Sequence, residues 1–379
     1  MNAEPGMASE PRWLEDVASL DAWLTAGQHQ PLALDTEFER VNTFFSIPGL
    51  VQLGLGDDYR LLEPAVAEAS ALFRSILADG NRIKLLYAMS EDLDLIRHWL
   101  GLELEGALDL QLGATLAGAG FSVGYATLVE RLFGAKLDKS ATRSNWLARP
   151  LTAVQQRYAL DDVRYLLPIY QWVTARLEER GLQAAMAEES ARYRQDQQAQ
   201  NDPQNYYLKL RGAWHLAPEQ QALLQKLTAW REAESRERDK PRNWVLPDAL
   251  LIAIAEQQPR TLGALSRLPE MPAPVVRRYG EWLLAQIVDA EETPLAPVAP
   301  ITPPLPREEQ GRFKSLKKLL SSVAEQADVP IELFAPRKRL EQMVQNWLCG
   351  DRTEPFVFEG WRGGLTAPIA DEIRGILES

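Results

Sequence analysis

Five side chains that could hold metal ions against a phosphodiester are spread along this sequence of 379 residues. They fall in three short motifs, and they are Asp35, Glu37, Asp92, Tyr158 and Asp162. Carboxylate oxygens are the ligands that hard cations such as Mg²⁺ and Mn²⁺ prefer. Two such cations beside a phosphodiester can activate water and stabilise the leaving oxygen. The set therefore suggests metal-assisted hydrolysis of nucleic acid, provided that the fold brings the motifs together.

The first motif, Asp35 and Glu37, directly follows the apolar run 32–34, which is typical of a strand. Side chains at positions i and i+2 of a strand lie on the same face, so the two carboxylates should project together. Neighbouring carboxylates repel each other unless a cation or a proton lies between them. Taken alone, the motif fits a polar strand end before a turn equally well.

The second motif places Asp92 just after Ser90 and Glu91, behind the apolar segment 83–88. Ser90 can cap a helix, and acidic side chains in a first helical turn interact favourably with the helix dipole. An ordinary helix start is therefore the simpler interpretation of this motif. Asp92 gains a chemical meaning only in combination with the other two motifs.

The third motif pairs Tyr158 with Asp162, at positions i and i+4 and hence on one face of a helix. The neighbouring acid, Asp161, lies four residues after Arg157 and three before Arg164, which is typical of a solvated ion pair. The ligand role is therefore assigned to Asp162. A tyrosine beside a core is usually a packing residue, so its spacing to the acid is the informative feature.

The elements that must position these motifs begin with three strand-like runs, at 32–34, 50–55 and 60–62. The short turn at 56–58 favours antiparallel pairing of the last two. Helical segments then alternate with apolar strands at 83–88 and 107–110. This order predicts an α/β core, a mixed sheet flanked by helices, followed by two all-α units.

Composition shifts and proline-rich stretches predict the following organisation of the chain. The segments are a leader at 1–12, the α/β domain at 13–175, a helical connector at 176–210, a helical domain at 211–292, a proline-rich linker at 293–308 and a second helical domain at 309–379.

The ordered motifs resemble the DEDD superfamily of 3'-to-5' exonucleases in its tyrosine subclass, and most of all the ribonuclease D family. The resemblance rests on Asp35-Thr36-Glu37-Phe38, on Ser90-Glu91-Asp92-Leu93, and on the run from Leu137 to Pro168 that contains Tyr158 and Asp162. It covers about 13–175 closely. Residues 216–289 resemble the helical HRDC domain that helicases share with ribonuclease D, and the C-terminal unit resembles a more divergent copy.

The resemblance implies a ribonuclease-H-like core with two divalent ions, Mg²⁺ or Mn²⁺. It implies that Asp35 bridges both ions, that Glu37 and Asp162 hold the ion that activates water, and that Asp92 holds the other. Tyr158 is then expected to orient the attacking water. The implied reaction is hydrolysis from the 3' end of RNA, with release of 5'-nucleoside monophosphates. Precursors of transfer RNA and other small structured RNAs are the expected substrates.

Further residues are candidates for contact with the RNA. Aromatic rings that could stack on terminal bases, and basic side chains that could bind phosphates, are Phe38, Phe44, Phe45, Lys139, Arg143 and Arg149. Core packing of the rings and a solvated basic loop are the plainer alternatives. Basic residues of the helical units are expected to grip the RNA backbone, although in the first of these units acids are interleaved and an ion-paired surface fits as well.

The formal net charge of −12 opposes general attraction to nucleic acid, so binding must rely on local basic patches or on bound cations. A single cysteine, Cys349, rules out a disulfide framework within the chain and fits a reducing compartment. The sequence shows neither a signal peptide nor an apolar run of about 18 residues. A cytoplasmic protein without contact to a membrane is therefore the expectation. The absence of an obvious coiled coil or apolar surface stripe makes a monomer the expected state.

Two other functions remain open at this stage: a DNA 3'-to-5' exonuclease with the same chemistry, and a catalytically silent RNA-binding scaffold. The chain carries no recognisable polymerase or helicase portion, which favours RNA over DNA. The presence of all five site residues argues against a silent scaffold.

Overall fold

The first acidic motif lies on a central strand of a six-stranded mixed sheet in the computed structural model, which describes residues 12–293 and 295–378. The leader predicted at 1–12 lies outside the described residues apart from Arg12. The chain forms two units. The first contains residues 12–39, 47–194 and 305–378, and the second contains residues 40–46 and 195–304.

The sheet has the strand order β1-β4-β3-β2-β5-β6. Its strands are β1 Trp13–Leu14, β2 Leu32–Glu39, β3 Ile47–Leu55, β4 Asp58–Leu62, β5 Lys84–Leu86 and β6 Ala107–Asp109. The β2–β3 and β3–β4 pairs are antiparallel, whereas β1–β4, β2–β5 and β5–β6 are parallel. The prediction of a mixed sheet flanked by helices is confirmed.

Strand β2 is longer than the predicted run 32–34, because it continues through the first motif to Glu39. Its first three residues are buried, with Leu32 and Leu34 in one hydrophobic cluster and Ala33 in another, so both faces of the strand are covered. Asp35 and Glu37 pair with Gln52 and Leu50 of β3, and the register shifts directly after Glu37. The antiparallel partner therefore holds the acidic end of β2 in extended conformation.

Nine helices of the described residues flank or follow this sheet up to residue 200. They are α1 Val17–Ala26, α2 Pro64–Ala69, α3 Ala71–Ala78, α4 Ser90–Leu100, α5 Leu110–Leu116, α6 Tyr125–Phe133, α7 Ala153–Arg164, α8 Leu166–Glu179 and α9 Ala185–Gln200. Helix α7, which carries Tyr158 and Asp162, starts with a capping box in which Thr152 and Gln155 satisfy each other's backbone N–H groups. This fixes the start of the helix one residue after Thr152.

The C-terminal segment of the first unit is helical. Its helices are α15 Gln310–Gln326, α16 Ile331–Phe334, α17 Arg337–Leu348, α18 Gly360–Thr366 and α19 Ala370–Glu378, with 3₁₀ turns at Phe356–Phe358 and Ala367–Ile369. Apolar side chains of α15, such as Leu316 and Leu320, belong to the same buried cluster as Ile169 and Val173 of α8. The C-terminal helices therefore share a core with the helices that follow the site.

A buried ion pair adds to this packing. Glu189 of α9 accepts hydrogen bonds from Arg362 of α18, from the indole N–H of Trp361 at 3.0 Å and from Arg192 at 2.5 Å. Burial alone would raise the pKa of Glu189, but the hydrogen bonds and charges of Arg362 and Arg192 outweigh it and lower the pKa to about 2. Removing only one partner of such a buried ion pair is strongly destabilising, because the other charge stays buried without its partner.

The second unit is formed by helices of residues 195–304. They are α10 Pro218–Glu237, α11 Arg242–Val245, α12 Asp248–Gln257, α13 Leu262–Leu265 and α14 Ala273–Glu292, with 3₁₀ turns at Pro203–Lys209 and Arg211–Ala213. Helices α11, α12 and α14 each begin directly after a proline. Residues 295–306 of the proline-rich stretch form neither helix nor strand. Ile301 within them is buried, and its N–H donates to Gln221 Oε1 at 2.8 Å.

None of the helices in the described residues is long and apolar enough to cross a membrane.

We expect Glu189→Gln to destabilise the first unit by about 3 kcal/mol, because it leaves Arg362 buried without a counter-charge. The pKa of Glu189 is lower in the folded state than in the unfolded state. Its contribution to the free energy of unfolding is therefore complete above about pH 4.5 and is lost as the pH falls towards 2. Urea unfolding at pH 7 and pH 3 measures this directly: the difference between wild type and variant should shrink at pH 3, and an equal difference at both values would contradict the assignment.

Candidate metal centre

Three of the predicted metal ligands meet at the acidic end of β2. Asp35 and Glu37 come from β2 and Asp162 from α7, and each offers a carboxylate oxygen within 4.8 Å of the others. Asp35 and Glu37 share a face because they are two residues apart in a strand. Helix α7 packs against β2, β3 and β4, which brings Asp162 to the same place.

Asp92 joins this group from the first turn of α4. It is 7% exposed, and its Oδ1 accepts a hydrogen bond from Thr36 Oγ1 at 2.5 Å. Its negative charge raises the pKa of both Asp35 and Glu37. The four carboxylates therefore form one electrostatic cluster, as the sequence predicts for a metal site.

Burial and mutual repulsion make this cluster unfavourable without a cation. Burial, followed by the charges of Asp92, Asp162 and Glu37, raises the pKa of Asp35 well above its usual range. Burial and the charges of Asp162 and Asp92 raise the pKa of Glu37 to about 9. Divalent ions of the Mg²⁺ type are bound by such oxygen ligands, so the donor set fits the predicted cofactor.

The pKa values of Asp92 and Asp162 are raised as well. Burial raises the pKa of Asp92 to about 6, although the hydrogen bond from Thr36 lowers it. Burial raises the pKa of Asp162 to about 7, against the hydrogen bond from Tyr158. Each hydrogen bond stabilises the charged form of its acid, so Thr36 and Tyr158 partly offset the repulsion within the cluster.

Tyr158 lies one helical turn before Asp162 and hydrogen-bonds to it. Burial, followed by the charge of Asp162, raises the pKa of Tyr158 above its usual value, so its hydroxyl stays protonated at neutral pH. Its ring packs against Trp146, with ring centres 5.9 Å apart. The arrangement presents an oriented hydroxyl beside the carboxylates.

Asp161, the competing acid, is placed differently. Its carboxylate forms an ion pair with Arg164 at 2.8 Å, as the sequence predicts, and it does not belong to the group of possible metal ligands among the described residues. The two adjacent acids therefore have different partners, and Asp161 provides a natural control for Asp162.

Two supporting residues escaped the sequence interpretation. Thr36 stands between two acids in β2, but only the fold shows that its hydroxyl reaches Asp92. The Tyr125 hydroxyl donates to the carbonyl of Asp161 at 2.8 Å and accepts from the N–H of Tyr165 at 3.3 Å, so it fixes the end of α7. A polar residue within an acidic motif is a weak signal for the first, and no local pattern indicates the second.

The aromatic candidates for base stacking lie in different surroundings. Phe38 is half-buried in β2. Phe44 belongs to the second unit and is only 4% exposed, with the guanidinium of Arg242 4.6 Å from the centre of its ring. Phe45 packs edge-on against Phe44, and both backbone N–H groups donate to Asp239. The packing alternative therefore describes Phe44, whose ring is covered by protein.

The basic candidates for phosphate contact also lie in different surroundings. Lys139 and Arg143 are exposed in the loop before α7. Arg149 donates to both oxygens of Glu63 at 2.6 Å and also to the carbonyls of Gly49, Trp146 and Ala148. These contacts use all the N–H groups of its guanidinium, which gives Arg149 a structural role in the loop.

Comparisons with known proteins agree with this architecture. The family model described as 3'-5' exonuclease matches residues 11–178, an HRDC domain matches 220–287, and the ribonuclease D C-terminal HRDC domain matches 309–368. Two ribonucleases D are similar along most of their length. That of Pseudomonas paraeruginosa is 36% identical over 94% of this chain and 95% of its own length. That of Escherichia coli K12 is 34% identical over 89% of this chain and 90% of its own length.

Solved structures give the same result. The crystal structure of Escherichia coli RNase D, titled as an exoribonuclease involved in structured RNA processing, covers 98% of this chain and 99% of its own at 31% identity and a TM-score of 0.86. The catalytic core of RRP6 from Trypanosoma brucei, at 19% identity over 76% of this chain and 84% of its own and a TM-score of 0.51, shares the fold.

The fold and these matches define a 3'-to-5' exonuclease domain followed by two HRDC domains. The chain belongs to the ribonuclease D family. It is accordingly a 3'-to-5' exoribonuclease, and the alternatives of a DNA exonuclease and a silent scaffold are not favoured.

We expect Asp35→Asn to raise the melting temperature of the metal-free protein at pH 8 by roughly 2–4 °C, because folded wild type must either protonate Asp35 or bear its repulsion by the neighbouring acids, and asparagine avoids both costs. The raised pKa values mean that the folded state holds protons that the unfolded state has released. Stability without metal should therefore fall between about pH 5 and pH 9. Added Mg²⁺ should stabilise wild type more than the variant.

Calorimetric scans in EDTA and in Mg²⁺ measure both effects, with Asp161→Asn as the matched control. A lower melting temperature for Asp35→Asn than for wild type in EDTA would contradict the repulsion described above.

Proposed function

We propose that this enzyme trims the 3' ends of small structured RNAs, including precursors of transfer RNA, and releases 5'-nucleoside monophosphates. The observation that carries the proposal is the convergence of half-buried Asp35, Glu37 and Asp162 beside buried Asp92, whose charge raises the pKa of Asp35. The structured-RNA processing named for the Escherichia coli structure supports the choice of substrate.

The proposed cofactors are two divalent ions, Mg²⁺ or Mn²⁺. Asp35 would contribute to both ion sites, Glu37 and Asp162 to one, and Asp92 to the other. When bound, the ions would supply activation of water and stabilisation of the leaving 3' oxygen. The protein's own contribution is to hold four carboxylates at a fixed place on β2, α4 and α7.

Tyr158 would position the attacking water. Because its pKa is raised, its hydroxyl can donate or accept a hydrogen bond but is a poor base at neutral pH. Its hydrogen bond to Asp162 also orients that carboxylate. We therefore assign Tyr158 an orienting role rather than the role of proton acceptor.

The C-terminal domain offers a basic surface for the RNA backbone. Helix α15 buries Phe313, Leu316 and Leu320, and its opposite side is exposed. The exposed lysines on that side are Lys314, Lys317 and Lys318. Arg337 of α17 lies over the ring of Phe313, which places the exposed Lys338 near the same end of α15. In a chain of net charge −12, such a local surface fits phosphate binding.

The basic residues of the first HRDC domain are used differently. Arg231 is fully buried and donates to the carbonyl of Leu246 and to Asp248, while Arg242 donates to both oxygens of Glu232. These contacts favour the ion-paired alternative for this region. The C-terminal lysines and the loop residues Lys139 and Arg143 are therefore the proposed phosphate contacts. The cytoplasmic location and the monomeric state stay predictions from the sequence.

Asp162→Asn should reduce the rate of RNA hydrolysis by about 100-fold or more, because one preorganised charge at the reacting phosphate is lost. Asp161→Asn, which changes the adjacent ion-paired acid, should leave the rate within about threefold of wild type. Release of mononucleotides from 3'-labelled RNA and DNA, with Mg²⁺ and with EDTA, measures this.

RNA cleavage that persists in EDTA, or full activity of Asp162→Asn, would overturn the proposed site. Faster cleavage of DNA than of RNA would favour the DNA exonuclease.

Replacement of Lys314, Lys317 and Lys318 together by glutamine should weaken RNA binding and lower the slope of log K against log salt by about 2, as expected for three lost phosphate contacts. The matched control is the triple lysine-to-arginine variant, which keeps the charges and should keep the slope. Filter binding at several salt concentrations gives both numbers. An unchanged slope in the glutamine variant would exclude this surface from RNA binding.

A further inference from the structure

A buried carboxylate outside the metal cluster holds the start of α4, the helix that carries Asp92. Asp109 is the last residue of β6, and its side chain is only 4% exposed. Its Oδ1 accepts the N–H groups of Ala88 at 3.0 Å and Gln111 at 2.9 Å, and its Oδ2 accepts the N–H of Met89 at 3.2 Å. Both oxygens are thus engaged by backbone groups.

These contacts matter because α4 lacks a side-chain cap of its own. Met89 stands at the position before the helix, where its side chain makes no capping hydrogen bond. Ala88 has a left-handed backbone with φ of 58°, a conformation that costs energy in a residue with a Cβ and needs support from its surroundings. Asp109 supplies that support from strand β6, because its carboxylate accepts the N–H groups of Ala88 and Met89, the two residues before the helix.

Asp109 is itself fixed from its other side. Its backbone N–H donates to Ser190 Oγ of α9 at 3.0 Å, and Ser190 is fully buried. Strand β6 also pairs with β5, with Asp109 opposite Leu86. The carboxylate is therefore held at a defined position relative to the end of β5, from which the chain turns into α4.

The backbone before α4 affects the carboxylate cluster because Asp92 lies in the first turn of this helix. Asp92 is the third residue of this helix, and its hydrogen bond with Thr36 ties it to β2. A shift of the segment 88–90 would rotate the first turn and move the Asp92 carboxylate away from Thr36. Groups that orient a metal ligand typically affect metal affinity or activity by about 10- to 100-fold when they are changed.

We propose that Asp109 is a positioning residue for Asp92: it fixes the backbone before α4 so that the Asp92 carboxylate faces the metal cluster. The inference rests on the proposed metal-dependent function. Asp109 belongs neither to the carboxylates that would hold the ions nor to the groups that would contact RNA. It acts through the geometry of α4, and its negative charge adds to the repulsion at Asp92.

The test is Asp109→Asn, which keeps the size of the side chain but replaces one acceptor oxygen by an NH₂ group that faces a backbone N–H. We expect the Mg²⁺ concentration that gives half-maximal activity to rise about 10-fold. Saturating Mg²⁺ should restore most of kcat, and KM for RNA should change by less than about twofold. Mn²⁺ affinity, measured by titration calorimetry without RNA, should weaken by the same factor.

Ser70→Ala is the matched control for lost stability. Ser70 is a buried cap of α3 that accepts the N–H of Phe73 at 2.9 Å, so its loss should destabilise the same unit by about 1 kcal/mol without changing metal dependence. Ser190→Ala is a milder second variant, should Asp109→Asn fail to fold, and it should weaken Mn²⁺ binding in the same direction but less.

Several results would overturn the inference. The first is that Asp109→Asn binds Mn²⁺ as tightly as wild type, or that Ser190→Ala does so if only that variant folds. The second is that Ser70→Ala loses as much Mn²⁺ affinity as Asp109→Asn. The third is that saturating metal does not restore kcat in Asp109→Asn. Failure of the proposed function is distinguishable, because wild type would then show no metal-dependent hydrolysis at all.

Discussion

The mutual repulsion of four carboxylates, three of them half-buried and one buried, is the constraint on which the rest of this structure depends. The ionised form of each acid is less stable in this cluster than in water, because burial and neighbouring charges raise the pKa. This holds for Asp35, Glu37, Asp92 and Asp162. Such an arrangement persists only if the surrounding fold fixes it, and it is relieved when a cation is bound. The folding energy of the first unit is therefore used in part to keep these four acids together.

The surrounding residues show how the cluster is held. Strand β2 is fixed on both sides by neighbouring strands, α7 begins at a well-defined cap, and α4 is supported by Asp109. The C-terminal HRDC domain contributes to the same unit through the shared core with α8 and through the buried pair of Glu189 and Arg362. It therefore has a structural role beside the proposed contact of its lysines with RNA.

The sequence predicted those features that depend on local patterns. The apolar run before Asp35, the spacing of Tyr158 and Asp162, and the ion pairing of Asp161 follow from strand and helix periodicity. The fold class and the ribonuclease D family could be inferred from the order of the motifs. These predictions needed no knowledge of which residues meet across the fold.

The remaining features depend on contacts between residues far apart in the chain. The hydrogen bond from Thr36 to Asp92, the support of α4 by Asp109 and the burial of Phe44 beneath Arg242 arise only when separate elements pack together. The same holds for Arg149, whose loop position suggested phosphate binding but whose guanidinium is engaged by Glu63 and backbone carbonyls. Strand β1 was missed because two residues carry no detectable period.

The most direct measurement is anomalous diffraction from crystals of the wild-type enzyme soaked in Mn²⁺. Two strong anomalous peaks among the carboxylates of residues 35, 37, 92 and 162, both lost in crystals of Asp35→Asn, are the expected result. Crystals in which these carboxylates give no anomalous signal at millimolar Mn²⁺, while wild type still hydrolyses RNA under the same conditions, would contradict metal binding by this cluster.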